Sequence, residues 1–167
     1  DGKRRKSYLI AFIDDHSRLI PYAQFYLSER LISFLDTFEK ALLKRGLPRK
    51  LYVDNGAAYR SKHLEHITAS LGIALIHAKP YQPQGKGKIE RFFRTVRAQF
   101  LSSIDSMSLE GINEAWEQWV RNVYHHRVHS GTGKRPLERF TSHTECLRAA
   151  PDNLKDHFRV IARRKVG

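Results

Sequence analysis

Pro80-Tyr81-Gln82-Pro83-Gln84-Gly85-Lys86-Gly87-Lys88-Ile89-Glu90-Arg91 reads as a loop that turns into a helix. Its prolines interrupt regular structure, and its glycines let the backbone approach another group closely. From about Lys88 to Leu101, Ile89, Phe92, Phe93, Val96 and Phe100 recur at helical spacing, which predicts a helix with one core face. Glu90 falls in the first turn and shares a face with Arg94 and Arg97, at i+4 and i+7.

Outward from this loop the chain alternates between strand and helix signals. Tyr8 to Ile13 is a nearly continuous apolar run, suited to a strand buried on both faces. Asp14-Asp15-His16-Ser17 is turn chemistry, and Leu19 to Tyr26 is its hairpin partner, with Pro21 placing it at an edge or interrupting it. Ser28 is a candidate cap for a helix carrying Leu31, Leu35, Phe38 and Leu42, which Gly46 stops. Leu51-Tyr52-Val53 is a short strand that ends at Asp54-Asn55-Gly56. A helix from Ser61 to Gly72 and a strand from Ile73 to Ile76 follow. A last long helix runs from about Leu109 to His126, capped by Ser108, with Ile112, Trp116, Trp119, Val120 and Val123 inward. The order predicts an α/β layer architecture with a mixed sheet.

Composition narrows the partners. Of the 167 residues, 30 are Lys or Arg and 17 are Asp or Glu, a formal net charge of +13, which favours a polyanion. A hydrophobic share of 41% excludes a disordered basic tail. No apolar run approaches the ~18 residues of a membrane span, so no membrane role is expected. One cysteine, Cys146, leaves no internal disulfide or Cys-pair zinc site and fits a reducing, cytoplasmic setting. The charge is also concentrated. Lys79, Lys86, Lys88, Arg91, Arg94 and Arg97 surround one acid, Glu90, whereas Ala98 to Val120 holds four acids and no base.

Asp54 and Glu90 are the carboxylates that could carry chemistry, with 35 residues between them. Each alone also fits a plain role, Glu90 in a helix salt bridge and Asp54 in a strand-end turn. Taken together, Tyr52-Val53-Asp54-Asn55-Gly56, the Pro80–Arg91 stretch and the gap between them resemble the integrase catalytic core. That is the DDE superfamily of retroviral integrases and bacterial insertion-sequence or phage Mu-like transposases. Ile13-Asp14-Asp15-His16-Ser17-Arg18, Arg45-Gly46-Leu47-Pro48, and Tyr124-His125-His126 followed by His129 and Pro136-Leu137 extend the match over nearly the whole chain.

The resemblance implies an RNase H-like sheet with flanking helices and three carboxylates holding two Mg²⁺ or Mn²⁺ ions. It also implies DNA cleavage and strand transfer, with DNA ends and target DNA as partners of a homo-multimer. The setting would be the bacterial cytoplasm, close to the nucleoid. Asp54 would be the second carboxylate and Glu90 the third, both metal ligands. The six bases from Lys79 to Arg97 would track the DNA backbone, and the Tyr124–His129 region would pack near the active site or touch DNA.

The first carboxylate departs from the pattern. The family places it on a central strand that precedes the equivalent of Tyr8–Ile13. The expectation is therefore a catalytic core over 1–142 lacking part or all of that strand, and a helical extension over 143–167 leading toward a β-barrel. The missing Asp would lie upstream, with Asp1 or Asp14 as weaker substitutes. The isolated chain would be inactive. The competing readings are a DNA-binding remnant and a two-metal nuclease that only hydrolyses.

Overall fold

The computed structural model describes residues 3–79, 86–105, 107–145 and 147–159. Most of the loop 79–87 and Cys146 and Asp1 lie outside this set. Strands β1 (Tyr8–Ala11) and β2 (Ala23–Tyr26) pair antiparallel, with Tyr8 opposite Tyr26 and Ala11 opposite Ala23. Helix α1 (Leu31–Arg45) leads to β3 (Lys50–Val53), a 3₁₀ turn (Ala57–Arg60) and α2 (Lys62–Ser70). Strand β4 (Ala74–His77) returns parallel to β3, with Lys50 opposite Ala74. Helices α3 (Gly87–Thr95), α4 (Leu109–Asn122), α5 (Pro136–Thr141) and the short α6 (Leu154–His157) complete the chain.

One antiparallel and one parallel pair make the strand set mixed, as the sequence predicts, but β1 and β3 do not bond to each other. The two faces of β1 show how the layers are built. Ile10 and Phe12 pack on a core of Phe34, Phe38, Leu51, Leu64 and Ile67, contributed by α1, β3 and α2. Leu9, Ala11 and Ile13 pack on a second core of Phe25, Phe92, Phe100, Trp116 and Val120, contributed by β2, α3 and α4. This alternation is the period of a strand covered on both faces. Its residues are nevertheless only half-buried, because the edge toward β3 is open.

Several boundaries differ from expectation for identifiable reasons. The second strand pairs only over Ala23–Tyr26, because Pro21 has no N–H and the Ile20 N–H is taken by His125 Nε2 at 3.1 Å. Ser28 does not cap α1. Its hydroxyl lies 3.0 Å from Ser33 Oγ, and the helix opens after Arg30. Ser61 and Ser108 do cap, accepting from the Leu64 and Gly111 amides. The helix carrying Glu90 becomes a π turn over Val96–Phe100. Phe92, Val96 and Phe100 are all buried in one core, and the wider turn offsets the drift of an i, i+4, i+8 row around an α-helix. The last long helix stops at Asn122 because Tyr124 and His125 turn inward. The Tyr124 hydroxyl donates to the Arg18 carbonyl at 2.7 Å. Trp119, Val123, Ile89 and Phe93, expected in the core, are half-buried.

Gly46 has φ of 90°, and a Cβ there would sit 2.7 Å from the Arg148 carbonyl oxygen. Only glycine fits. That close approach lets the Leu47 amide donate to Arg148 at 2.6 Å, and Leu154 is fully buried in the α1 core. Residues 147–158 are thus packed on the same body. No helix among the described residues is long and apolar enough to cross a membrane.

His125 accepts from the Ile20 amide while buried, so its ring is neutral. Burial first, then the fields of Arg45, Lys44 and His126, push its pKa down to about 3. The unfolded chain binds this proton near pH 6.5, so the histidine's contribution to stability is complete above that pH and lost as pH falls toward 3. Urea unfolding should show about 2 kcal/mol less stability at pH 5 than at pH 7 from this residue. His125→Gln should flatten that dependence. An unchanged pH slope in the variant would contradict it.

Candidate active site

Asp54 is the first residue beyond β3. The parallel partner β4 holds the strand to its end, where the Ala78 amide donates to the Val53 carbonyl at 2.8 Å. The Asp54 side chain projects from there into solvent, 57% exposed. Lys86 Nζ lies 3.0 Å from Asp54 Oδ1. Lys86 also begins the turn of helix that carries Glu90, whose amide donates to the Lys86 carbonyl at 3.0 Å. Residues four apart on a helix share a face, so Glu90 lies one turn from the lysine that touches Asp54. The fold therefore brings the β3 end and the α3 start to one location, across 35 residues of sequence.

This location opens onto a groove of about 720 Å³ between β1 and β3. Tyr8 and Ile10 line it from one strand, Val53 and Asp54 from the other, and Ile89 and Arg97 from α3. Tyr59 closes the side toward α1, packing its ring 5.0 Å from Phe34. Burial raises the Tyr59 pKa, and the Asp54 and Glu29 charges raise it further. Asn55 is held by Arg60, whose Nε donates to Oδ1 at 2.8 Å.

The other candidates fall into place differently. Asp14 Oδ2 accepts from the Ser17 amide at 2.9 Å and the Ser17 hydroxyl at 2.6 Å, a turn-capping role. Among the described residues, no three His, Cys, Asp or Glu side chains gather as a metal set. His125 and His129 do not share a helix. The first is in a buried 3₁₀ turn and the second in the loop that follows. The six bases do not form one track. Arg97 faces the groove, Lys86 pairs with Asp54, Lys88 pairs with Asp15, Arg91 lies against the turn at Gly131, and Lys79 and Arg94 are exposed. Lys86 as the partner of Asp54 has no sequence signal beyond its place in a basic loop.

A family model, TnsB C-terminal domain, matches residues 33–106. The transposase for transposon Tn552 of Staphylococcus aureus is 28% identical over 163 residues, covering 84% of this chain and 34% of that protein. The putative transposase for insertion sequence element IS5376 of Geobacillus stearothermophilus is 26% identical over 174 residues, covering 94% of this chain and 41% of that one. The HTLV-2 integrase catalytic core domain, solved in complex with magnesium, superposes with a TM-score of 0.64 at 20% identity. It covers 83% of this chain and 87% of that one. The chain is a homologue of transposases.

The segment matched by the family model runs from within α1 to beyond α3 and contains both Asp54 and Glu90. This transposase homologue spans about a third of the length of the Tn552 protein and two-fifths of the IS5376 protein. Its fold is that of the integrase cores, an α/β RNase H-like arrangement. The donors at the site suit a hard divalent cation. Asp54 offers an exposed carboxylate at the end of a rigid strand, and a cationic ammonium already rests on it.

Proposed function

We propose that this chain is the catalytic core of a DDE-type transposase that cuts DNA phosphodiesters and joins the freed end to target DNA. The observation that carries this reading is the convergence of Asp54 and the Glu90 turn, through Lys86, at the mouth of a groove flanked by bases. Asp54 and Glu90 would hold Mg²⁺ or Mn²⁺, which when bound supplies Lewis-acid activation of the attacking and leaving oxygens. The protein's own part is placement. β3 fixes Asp54, and α3 fixes Glu90 one turn above Lys86, an ammonium able to move from Asp54 to a phosphate oxygen. Arg97 on the groove wall and exposed Lys79 and Arg94 would hold further phosphates, giving affinity without sequence choice.

The groove between β1 and β3 supports a further part of the proposal. Among the described residues neither facing edge has a strand partner, and the space is apolar along Tyr8, Ile10 and Val53. A strand lying in it would bond to both edges, and an Asp on that strand would reach the Asp54 end and complete three ligands. The reading is of a catalytic core within 1–142 whose first Asp would lie on such a strand. DNA ends and target DNA are the proposed partners, held by a multimer in the bacterial cytoplasm. A binding remnant without cleavage is the second reading, favoured by the two-carboxylate set among the described residues.

The test is strand transfer by the full-length protein on DNA carrying the element's ends, with Mg²⁺ or Mn²⁺. The expected products are joined strands, absent with EDTA. DNA binding with neither nicking nor joining favours the remnant. Nicking without joining favours a hydrolytic nuclease. The isolated 167-residue chain is expected to be inactive in the same assay.

A further inference from the structure

The last turn of α1 carries cations that lie outside the candidate active site. Lys44 and Arg45 end the helix, and Gly46 turns the chain toward β3. The segment 147–152 crosses this end, held by the backbone pairing of Leu47 with Arg148. Between them lies an open groove of about 720 Å³. It sits at the α1–β3 connection, whereas Asp54 follows the other end of β3. Leu43, Phe140, Leu147 and Pro151 give the groove apolar walls, and Lys44, Arg45 and Arg148 give it positive charge. Asp152 is the one acid among its described lining residues.

We propose that this groove docks a segment of a partner protein in which a Glu or Asp lies beside apolar side chains, with the carboxylate bonded to Arg45. Docking there places the partner away from the Asp54 end, and stands whether or not the chain cuts DNA.

Arg45 is the anchor. Its Nε–H is buried and meets no acceptor among the described residues. Its guanidinium lies 5.7 Å from the centroid of the Phe140 ring, so α5 supports one face of the fork. Bases in a last helical turn offset the helix dipole, which accounts for their sign. It does not account for a donor withdrawn from water without an acceptor, which costs free energy until a ligand supplies one. A carboxylate is the acceptor that matches a guanidinium fork.

The neighbouring charges are placed in the same way. None of Lys44, Arg45 and Arg148 forms an ion pair among the described residues. Arg148 is nevertheless held in position, its Nη2 donating to the Gly72 carbonyl at 3.0 Å.

The apolar walls decide the class of partner. Leu43 is 56% exposed, and with Phe140 and Leu147 it offers surface that a phosphodiester chain cannot cover. Asp152, also exposed, would repel a run of phosphates. A peptide brings a carboxylate and an apolar side chain together, which suits both halves of the groove.

The test uses the full-length protein and a fluorescein-labelled peptide of alternating leucine and glutamate, with binding followed by anisotropy. This peptide should bind about tenfold more tightly than its glutamine analogue. Arg45→Met should weaken it about tenfold and Leu43→Ser about threefold. Leu43→Ser changes an exposed position, so it keeps the proposal testable if Arg45→Met fails to fold. In ¹⁵N-arginine-labelled protein the Arg45 Nε–H should move downfield when the peptide is bound, a response that a merely structural arginine would not give. Equal binding of the two peptides, or wild-type affinity in both variants, would overturn the proposal. Displacement of the peptide by a random-sequence duplex, with an equal loss of duplex affinity in Arg45→Met, would make the groove a nucleic-acid surface and overturn it. A changed oligomeric state of Leu43→Ser in sedimentation would make it an interface between copies, and would overturn it as well.

Discussion

On the proposed function, Asp54→Asn should reduce strand transfer by about 10³-fold or more while leaving the fold intact. The two halves of this expectation have separate causes. Asp54 is exposed and makes one ion pair, with an equally exposed Lys86, so removing its charge costs the fold almost nothing. The amide keeps the shape of the side chain but loses the anionic oxygen that a hard divalent cation requires. Glu90→Gln should behave in the same way, since Glu90 is exposed on α3 and no ion pair holds it among the described residues. The double variant should be little worse than either single one, because groups that act as a unit are not additive. Duplex affinity should persist, as the bases on α3 remain. Strand-transfer rates, DNA anisotropy and thermal unfolding on the same preparations check all three statements. Activity within tenfold of wild type in either variant would remove that carboxylate from the proposed mechanism.

Trp116→Ala should destabilise the protein by about 3–5 kcal/mol, the range for truncating a large core aromatic. Trp116 is 2% exposed at the centre of the α3–α4 core. Phe25 and Phe100 meet its ring edge-to-face with centroids 5.5 and 5.1 Å away, and Phe92 does so at 6.0 Å. Its Nε1–H donates to the Ala23 carbonyl at 3.1 Å and so ties α4 to β2. Alanine would open a cavity and leave that carbonyl without its partner. Trp116→Phe should cost less, keeping most of the apolar contact and losing only the hydrogen bond. Urea midpoints for the two variants check the order. Because Phe92, Val96 and Phe100 rest on this ring system, Trp116→Ala should also loosen the helix that carries Glu90 and lower activity below the melting transition. A loss under about 1 kcal/mol would show that the core closes over the space.

Asp54 and Glu90 stand out in the sequence as candidate carboxylates because several local signals agree. Asp54 follows a β-branched strand end, and Glu90 follows a Pro/Gly loop at a helix start. Periodicity found α1, α2, α3 and α4 because each buries one stripe. It located the cap at Ser108 and the helix start at Ser61, because an N-cap hydroxyl needs only a neighbouring amide. It misjudged Ser28, whose hydroxyl found Ser33, and missed the π turn at Val96, which follows from how three aromatic and aliphatic side chains share one core.

The sequence by itself determined the alternation of elements, the concentration of positive charge and the pair of carboxylates. Each depends on neighbours along the chain or on composition. Only the tertiary structure decided that Lys86 rests on Asp54, that β1 and β3 stand apart around a groove, and that the α3 bases divide between two faces. The same holds for Arg18 and Tyr124, separated along the chain yet joined by the hydrogen bond from the Tyr124 hydroxyl to the Arg18 carbonyl. The physical reason is that local hydrogen bonding and apolar periodicity act over a few residues. Which polar groups meet across the surface depends instead on how the packed layers turn those residues toward one another.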